Sequence, residues 1–185
     1  MEQKNPKKNL IFLTGFMGSG KSTIGPILAN ALGWGFVDID RNIETKTEKK
    51  IVDIFSTAGE QAFREIERTT LRELLTRDQC VVSLGGGTLA NEENFDFIRQ
   101  NGVIVYLRLS PDKLVQRVRH KTDRPMLKDG EGRPLNGEEL QKRIDTLLEL
   151  REQYYSKADI IILADTMKVG ETVDAIVKHL RGLIT

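Results

Sequence analysis

Apolar residues fall along this chain in two alternating patterns. Short apolar runs, Leu10–Thr14, Gly35–Asp38, Cys80–Ser83, Val103–Leu109 and Asp159–Leu163, have the length and the Gly, Asp and Asn boundaries of buried strands. Between them, apolar positions recur every three or four residues, as at Ile24, Leu28 and Leu32. That spacing predicts helices over Lys21–Leu32, Gly59–Leu75, Asn91–Gln100, Pro111–Arg119, Gly137–Tyr155 and Val169–Leu183. Regular alternation of strand and helix predicts an α/β fold, a three-layer arrangement with a parallel sheet of about five strands and helices on both faces. Right-handed crossovers align the carboxyl ends of the strands along one edge, and ligands of open sheets bind outside that edge. Two segments break the alternation. Residues 40–68 insert extra helical material between two strands, and residues 120–136, HKTDRPMLKDGEGRPLN, are polar with two prolines and two glycines, so they predict a long loop.

Bulk properties narrow the function classes. The 185 residues suffice for one compact domain, 1–185, and are too few for two large ones. With 28 basic and 27 acidic side chains the formal net charge is +1, so no strong field draws in nucleic acid or a membrane surface. The apolar stretches are strand-sized, too short to span a bilayer, and the N-terminal MEQKNPKKN lacks the apolar core of an export signal. The one cysteine, Cys80, lies in the apolar run Cys80-Val81-Val82 and reads as a small buried hydrophobe. A chain with no internal disulfide fits the cytoplasm.

Candidate chemistry sits where the strands end. Gly15-Phe16-Met17-Gly18-Ser19-Gly20-Lys21-Ser22 matches the phosphate-binding pattern G-x-x-x-x-G-K-[ST], with a strand before it and a helix after it. Glycines let backbone N–H groups turn into the loop, and the helix N-terminus adds partial positive charge. Lys21 supplies a mobile charge for the outer phosphates and the Ser22 hydroxyl a ligand for Mg²⁺; the alternative is a Gly-rich turn before an ordinary helix. Asp38 and Asp40 end the second strand, where alternation sends both to one side. Asp38 suits the Mg²⁺ shell and Asp40 suits proton acceptance from an attacking hydroxyl; otherwise they are a solvated pair. Gly85-Gly86-Gly87 leaves bare backbone that a ligand can approach, or a plain turn. Arg64 and Glu67 share a helical face, which by spacing alone reads as a surface ion pair. Arg151 has the same default, although a guanidinium grips a carboxylate at two points. Arg117, Arg119, His120, Lys121 and Arg124 make the loop basic, and closure over a nucleotide would bring Arg124 to the γ-phosphate. His120 reads as solvated and Trp34 as packing.

Taken in order, GFMGSGKST, FVDID, AGEQAFREIE, SLGGGT, DRPML and LREQYYSKAD resemble the shikimate kinases, within the nucleoside-monophosphate-kinase-like group of P-loop enzymes. The resemblance runs from about Asn9 to His179. It implies ATP-dependent phosphorylation of shikimate to shikimate 3-phosphate in aromatic amino acid (chorismate) biosynthesis, with Mg²⁺ required and ATP as co-substrate. Gly15, Gly18, Ser19, Gly20, Lys21, Ser22 and Thr23 would bind the nucleotide. Ser22 and Asp38 would serve the metal, and Asp40 would contact the substrate hydroxyls as base or positioner. Arg64 and Arg151 would hold the shikimate carboxylate, and Gly86 and Gly87 would offer backbone contacts. Arg117 would border the adenine and Arg124 would be the lid arginine. Residues 40–68 would be the substrate-binding subdomain and 120–136 the lid. The resemblance also implies a cytoplasmic monomer whose partners are ATP and shikimate. Around Arg151 this chain reads Arg151-Glu152-Gln153-Tyr154-Tyr155, where many relatives read R-x-P-L-Y. The rival readings are another small-molecule kinase on the same scaffold and a catalytically silent nucleotide-binding domain.

Overall fold

A computed structural model describes residues 9–119, 127–130 and 132–184. Five strands, β1 (Leu10–Thr14), β2 (Gly35–Asp38), β3 (Cys80–Ser83), β4 (Val103–Arg108) and β5 (Ile160–Leu163), form one sheet in the order β2-β3-β1-β4-β5. Every neighbouring pair is parallel, with Leu10 opposite Cys80, Ile11 opposite Val103, Asp38 opposite Ser83 and Val105 opposite Ile160. The central strands β1 and β3 are buried throughout, as expected of strands covered on both faces. At the edge, β5 alternates, leaving Ile161 and Leu163 exposed.

Seven helices cover the sheet among the described residues: α1 (Lys21–Leu32), α2 (Ile39–Thr47), α3 (Ile51–Glu73), α4 (Glu92–Asn101), α5 (Pro111–Val118), α6 (Gly137–Tyr155) and α7 (Val169–Leu180). On one face Ile11, Leu13 and Val105 pack with Leu28 of α1, Leu114 of α5 and Ile176 of α7. On the other, Phe12, Val82 and Ile104 pack with Ile43 of α2, Phe63 of α3 and Ile98 of α4. Helix α6 serves both layers, with Leu140, Ile144 and Leu147 in the first cluster and Tyr155 in the second. Arg151 lies between those two anchors, which fixes its place at the sheet's carboxyl edge.

The expected elements are present with local differences that have identifiable causes. Strand β5 starts one residue after Asp159, whose carboxylate accepts a hydrogen bond from Ile104 N at 2.8 Å and so acts as a side-chain partner to β4. Helix α4 starts after Asn91, whose side chain caps it by accepting from Asn94 N at 3.0 Å. Helix α3 comprises two helical stretches that meet at Gly59, non-helical at φ 82° and ψ 174°; the later one starts where the sequence predicts and the earlier one, from Ile51, lies in the inserted segment. In the stretch 120–136, the described residues include a tight antiparallel bridge between Lys128 and Pro134, closed by the Asp129–Arg133 ion pair at 2.9 Å. Trp34 packs against the first core cluster and Cys80 is buried, as their sequence contexts suggest.

Candidate active site

The loop between β1 and α1 forms the floor of the site. Gly15, Gly18 and Gly20 take φ values of 145°, 86° and 105°, a region that disfavours any side chain. Gly15 is also crowded: a Cβ there would lie 2.7 Å from the carbonyl oxygen of Leu107. Lys21 donates from Nζ to the carbonyl oxygens of Gly15 at 2.7 Å and Phe16 at 3.2 Å, which holds its ammonium over the loop. The turn thus arches over its own lysine at the start of a helix, the arrangement that binds phosphate.

The loop borders a cavity of about 340 Å³, also lined by Asp38, Asp40, Ser83, Gly86 and Arg117. Ser22 Oγ donates to Asp38 Oδ2 at 3.2 Å. This hydroxyl and carboxylate are hard oxygen donors, the kind Mg²⁺ takes together with water and substrate phosphates. No cluster of three or more His, Cys, Asp or Glu stands ready to hold a metal among the described residues, so the pair fits an ion carried in with a polyphosphate. Alternation along β2 is not what places Asp40. The strand ends at Asp38, which caps α2 by accepting from Arg41 N, and Asp40 sits in the first turn of that helix. Both carboxylates still line the cavity, because the turn of the helix returns Asp40 to it.

A second cavity of about 150 Å³ adjoins the first. Its apolar wall is Ile51, Phe55 and Phe63 from α3, and its polar wall is Arg64, Arg151 and Gly85 to Gly87. Met17, Asp40 and Gly86 line both cavities, so Asp40 stands where the two meet. The triple-glycine segment is bare for steric reasons. A Cβ on Gly85 would lie 2.8 Å from Asp40 Oδ1 and 3.0 Å from Thr88 Oγ1, and one on Gly87 would lie 3.2 Å from Arg64 Nη2.

The arginines differ from their bland reading. Glu67 is not a surface residue: it is 1% exposed, accepts from Arg64 Nη1 at 2.9 Å and accepts from the Thr88 hydroxyl at 2.6 Å. Thr88 in turn offers its carbonyl to Asn94 Nδ2 at 3.0 Å. Burial alone would lower the pKa of Arg64, but the charge and hydrogen bonds of Glu67, then Glu60, hold it above its ordinary value. Arg151 is 6% exposed, lies 5.2 Å over the Phe16 ring, and its Nη1 has no hydrogen-bond partner. A buried guanidinium is costly unless it is paired, and this one lines the second cavity, where an anion would meet it.

Arg117 of α5 donates from Nη1 to the carbonyl oxygen of Gly18 at 3.2 Å. It also borders a third cavity, of about 260 Å³, with Thr23, Ala164, Met167 and Thr172. The structure therefore gathers Gly18, Gly20, Lys21, Ser22, Thr23, Asp38, Asp40 and Arg117 around the first cavity, and Arg64, Gly86, Gly87 and Arg151 around the second. Gly15 lies behind the Lys21 ammonium, and Ser19 lines the third cavity. Arg124, His120 and Lys121 lie outside the described residues. Sequence reasoning missed Met17, the phenylalanine wall, Thr88, Asn94, Tyr155 and the Ala164–Thr172 side. Only Thr88, directly after the glycines, carried a local signal.

A family model described as shikimate kinase matches residues 17–181 of this chain. A shikimate kinase of Chlorobium limicola is 51% identical over 92% of this chain and 85% of its own length. Among solved structures, a shikimate kinase from Bacteroides thetaiotaomicron superposes with a TM-score of 0.83 at 35% identity, covering 94% of this chain and 98% of that one. One from Acinetobacter baumannii, in complex with shikimate, gives 0.84 at 31% identity, covering 94% and 93%.

Proposed function

This chain belongs to the shikimate kinase family and catalyses the ATP-dependent phosphorylation of shikimate to shikimate 3-phosphate, a step of aromatic amino acid biosynthesis, and we propose that the two joined cavities divide the work as follows. The first takes the polyphosphate of ATP. Gly15, Gly18, Ser19, Gly20, Lys21, Ser22 and Thr23 bind it, and Arg117 borders the base, which the Ala164–Thr172 cavity receives. Ser22 and Asp38 would hold Mg²⁺, which would neutralise charge on the phosphates.

The second cavity takes shikimate. Arg151 and Arg64, the latter held by Glu67, grip the carboxylate. Gly86 and Gly87 supply backbone contacts. This end-on grip turns the opposite side of the ring toward Asp40. Asp40 orients the attacking hydroxyl and accepts its proton as the oxygen bonds to the γ-phosphorus; the bond from that phosphorus to the bridging oxygen breaks and ADP leaves. Lys21, and Arg124 on the lid, stabilise the charge on the transferring group, and lid closure keeps water from competing as acceptor. Residues 1–185 work as one domain, with 40–68 as the substrate-binding subdomain and 120–136 as the lid. The protein is a cytoplasmic monomer that engages neither nucleic acid nor membrane; for the last two, the formal net charge of +1 is the support, since it makes no strong field toward either.

The observation that carries this reading is the position of Asp40, on the wall common to both cavities. ADP release from ATP·Mg²⁺ is measured with and without shikimate, for the wild type and Asp40→Asn. The expected result is release that depends on shikimate and falls at least about 10²-fold in the variant. Release indifferent to shikimate would overturn the acceptor assignment, and full activity in the variant would overturn the role of Asp40.

A further inference from the structure

The geometry points to Tyr155 as the positioning residue for the acceptor site, acting through the peptide between Gly86 and Gly87. The inference rests on the division of cavities proposed above. Tyr155 is fully buried at the end of α6, and its hydroxyl donates to the Gly86 carbonyl oxygen at 2.6 Å. Its ring cannot drift, because it packs 4.7 Å from the ring of Tyr106, which is itself hydrogen-bonded to Glu152.

Gly86 is a demanding place to anchor. It lines both cavities, and a Cβ on it would lie 3.5 Å from Arg151 Nη1 and 3.6 Å from Met17 N of the phosphate loop. With no side chain at Gly85, Gly86 or Gly87, local restraint on this peptide comes from the turn bond that Thr88 N donates to the Gly85 carbonyl oxygen at 3.2 Å. Tyr155 fixes it from behind. The described residues contain no cis peptide, and in a trans peptide the carbonyl and the following N–H point in opposite directions. Drawing the Gly86 oxygen toward Tyr155 therefore aims the Gly87 N–H away from the core helix, on the side of the cavity that Gly87 lines. The same helix carries Arg151 one turn earlier, so the buried guanidinium and the backbone donor are set by one rigid element. Tyr155 touches neither substrate; it sets the angle of a group that does.

Tyr155→Phe keeps the ring and removes only the hydroxyl. Tyr106→Phe, the same change in the stacked partner, removes a bond that does not reach Gly86 and serves as the control. Both variants and the wild type are assayed for kcat and for the KM of shikimate and ATP, with nucleotide affinity and Tm measured separately. For Tyr155→Phe, kcat/KM for shikimate is expected to fall about tenfold, equivalent to ~1.4 kcal/mol, with nucleotide affinity within about twofold of wild type. Tyr106→Phe is expected to stay within about twofold throughout. An unchanged kcat/KM for shikimate in Tyr155→Phe overturns the inference. So does a parallel loss of nucleotide affinity and Tm, or an equal loss in Tyr106→Phe, since each marks general loosening. Wild-type turnover that does not need shikimate would instead strike the underlying acceptor assignment.

Discussion

Arg151 shows how one side chain can be kept against its own stability interest. Its guanidinium is buried against the Phe16 ring and the Tyr155 hydroxyl, with Nη1 lacking a hydrogen bond, a cost that a bound anion offsets further. Arg151→Met removes the charge and keeps the length of an apolar stem. On the proposed role, the expected outcome is a shikimate KM raised at least about tenfold while Tm stays level or rises, because an apolar side chain removes the desolvation cost of the buried charge. A fall in Tm alongside an unchanged KM would mean that the arginine is structural. Gly85 makes a steric argument of the same kind. A Cβ on Gly85 would lie 2.8 Å from Asp40 Oδ1, so Gly85→Ala displaces the carboxylate proposed to act on the hydroxyl. Turnover is expected to drop at least about tenfold with nucleotide affinity preserved, since small misplacements of reacting groups cost rate before binding. Steady-state kinetics beside a nucleotide titration separate the two.

At the scale of elements, α3 does two jobs across its kink. Before Gly59 it supplies Ile51 and Phe55 to the apolar wall of the acceptor cavity, and after it Phe63, Arg64 and Glu67. A straight helix could not wrap a small cavity from two sides, and the kink angle at Gly59 is one that only glycine adopts without strain. A Cβ there meets nothing within 4 Å, so any cost of substitution comes from the backbone alone. Gly59→Ala is expected to lower unfolding stability by about 1–3 kcal/mol, read as a lower urea midpoint at unchanged slope. An unchanged midpoint would show that the kink is not strained for alanine. This element also marks where sequence pattern gave out. The strand–loop–helix of residues 10–32 is legible because its period and its glycines agree with the tertiary fold. The turns at 51–58 are less legible: Gly59 does interrupt the helix as a glycine boundary predicts, and the turns before it are anchored in the core by Ile54.

For the whole molecule, two core clusters on opposite faces of one sheet meet through α6, and the stacked tyrosines sit near that junction. Burial pushes the Tyr106 hydroxyl above its ordinary pKa, and the charge of Glu152 adds to it. Burial raises Tyr155 also, against the opposing charge of Arg151. Both groups bind their protons more tightly folded than unfolded. Their contribution is therefore fully present below the ordinary tyrosine value of about 10 and is lost as pH rises from there through the raised folded values. Urea midpoints measured from neutral to strongly alkaline pH are expected to fall above about pH 10, and to fall less in Tyr106→Phe. Identical alkaline profiles in the two proteins would show that the buried phenol does not contribute.

The sequence by itself determined the alternation of elements, the phosphate loop with Lys21 and Ser22, and the strand-end acids. These are local: a period, a spacing, or a glycine whose backbone freedom is spent within a few residues. Only the tertiary structure decided that Glu67 is buried, that Arg64 and Arg151, far apart in the chain, converge on bare glycines, and that Asp40 faces both cavities from a helix. The physical reason is that an ionisable side chain carries no mark of its burial. Whether Arg151 is a solvated charge or a buried one at a cavity wall depends on Phe16, Gly86 and Tyr155, which reach it only when the sheet brings its carboxyl edge together.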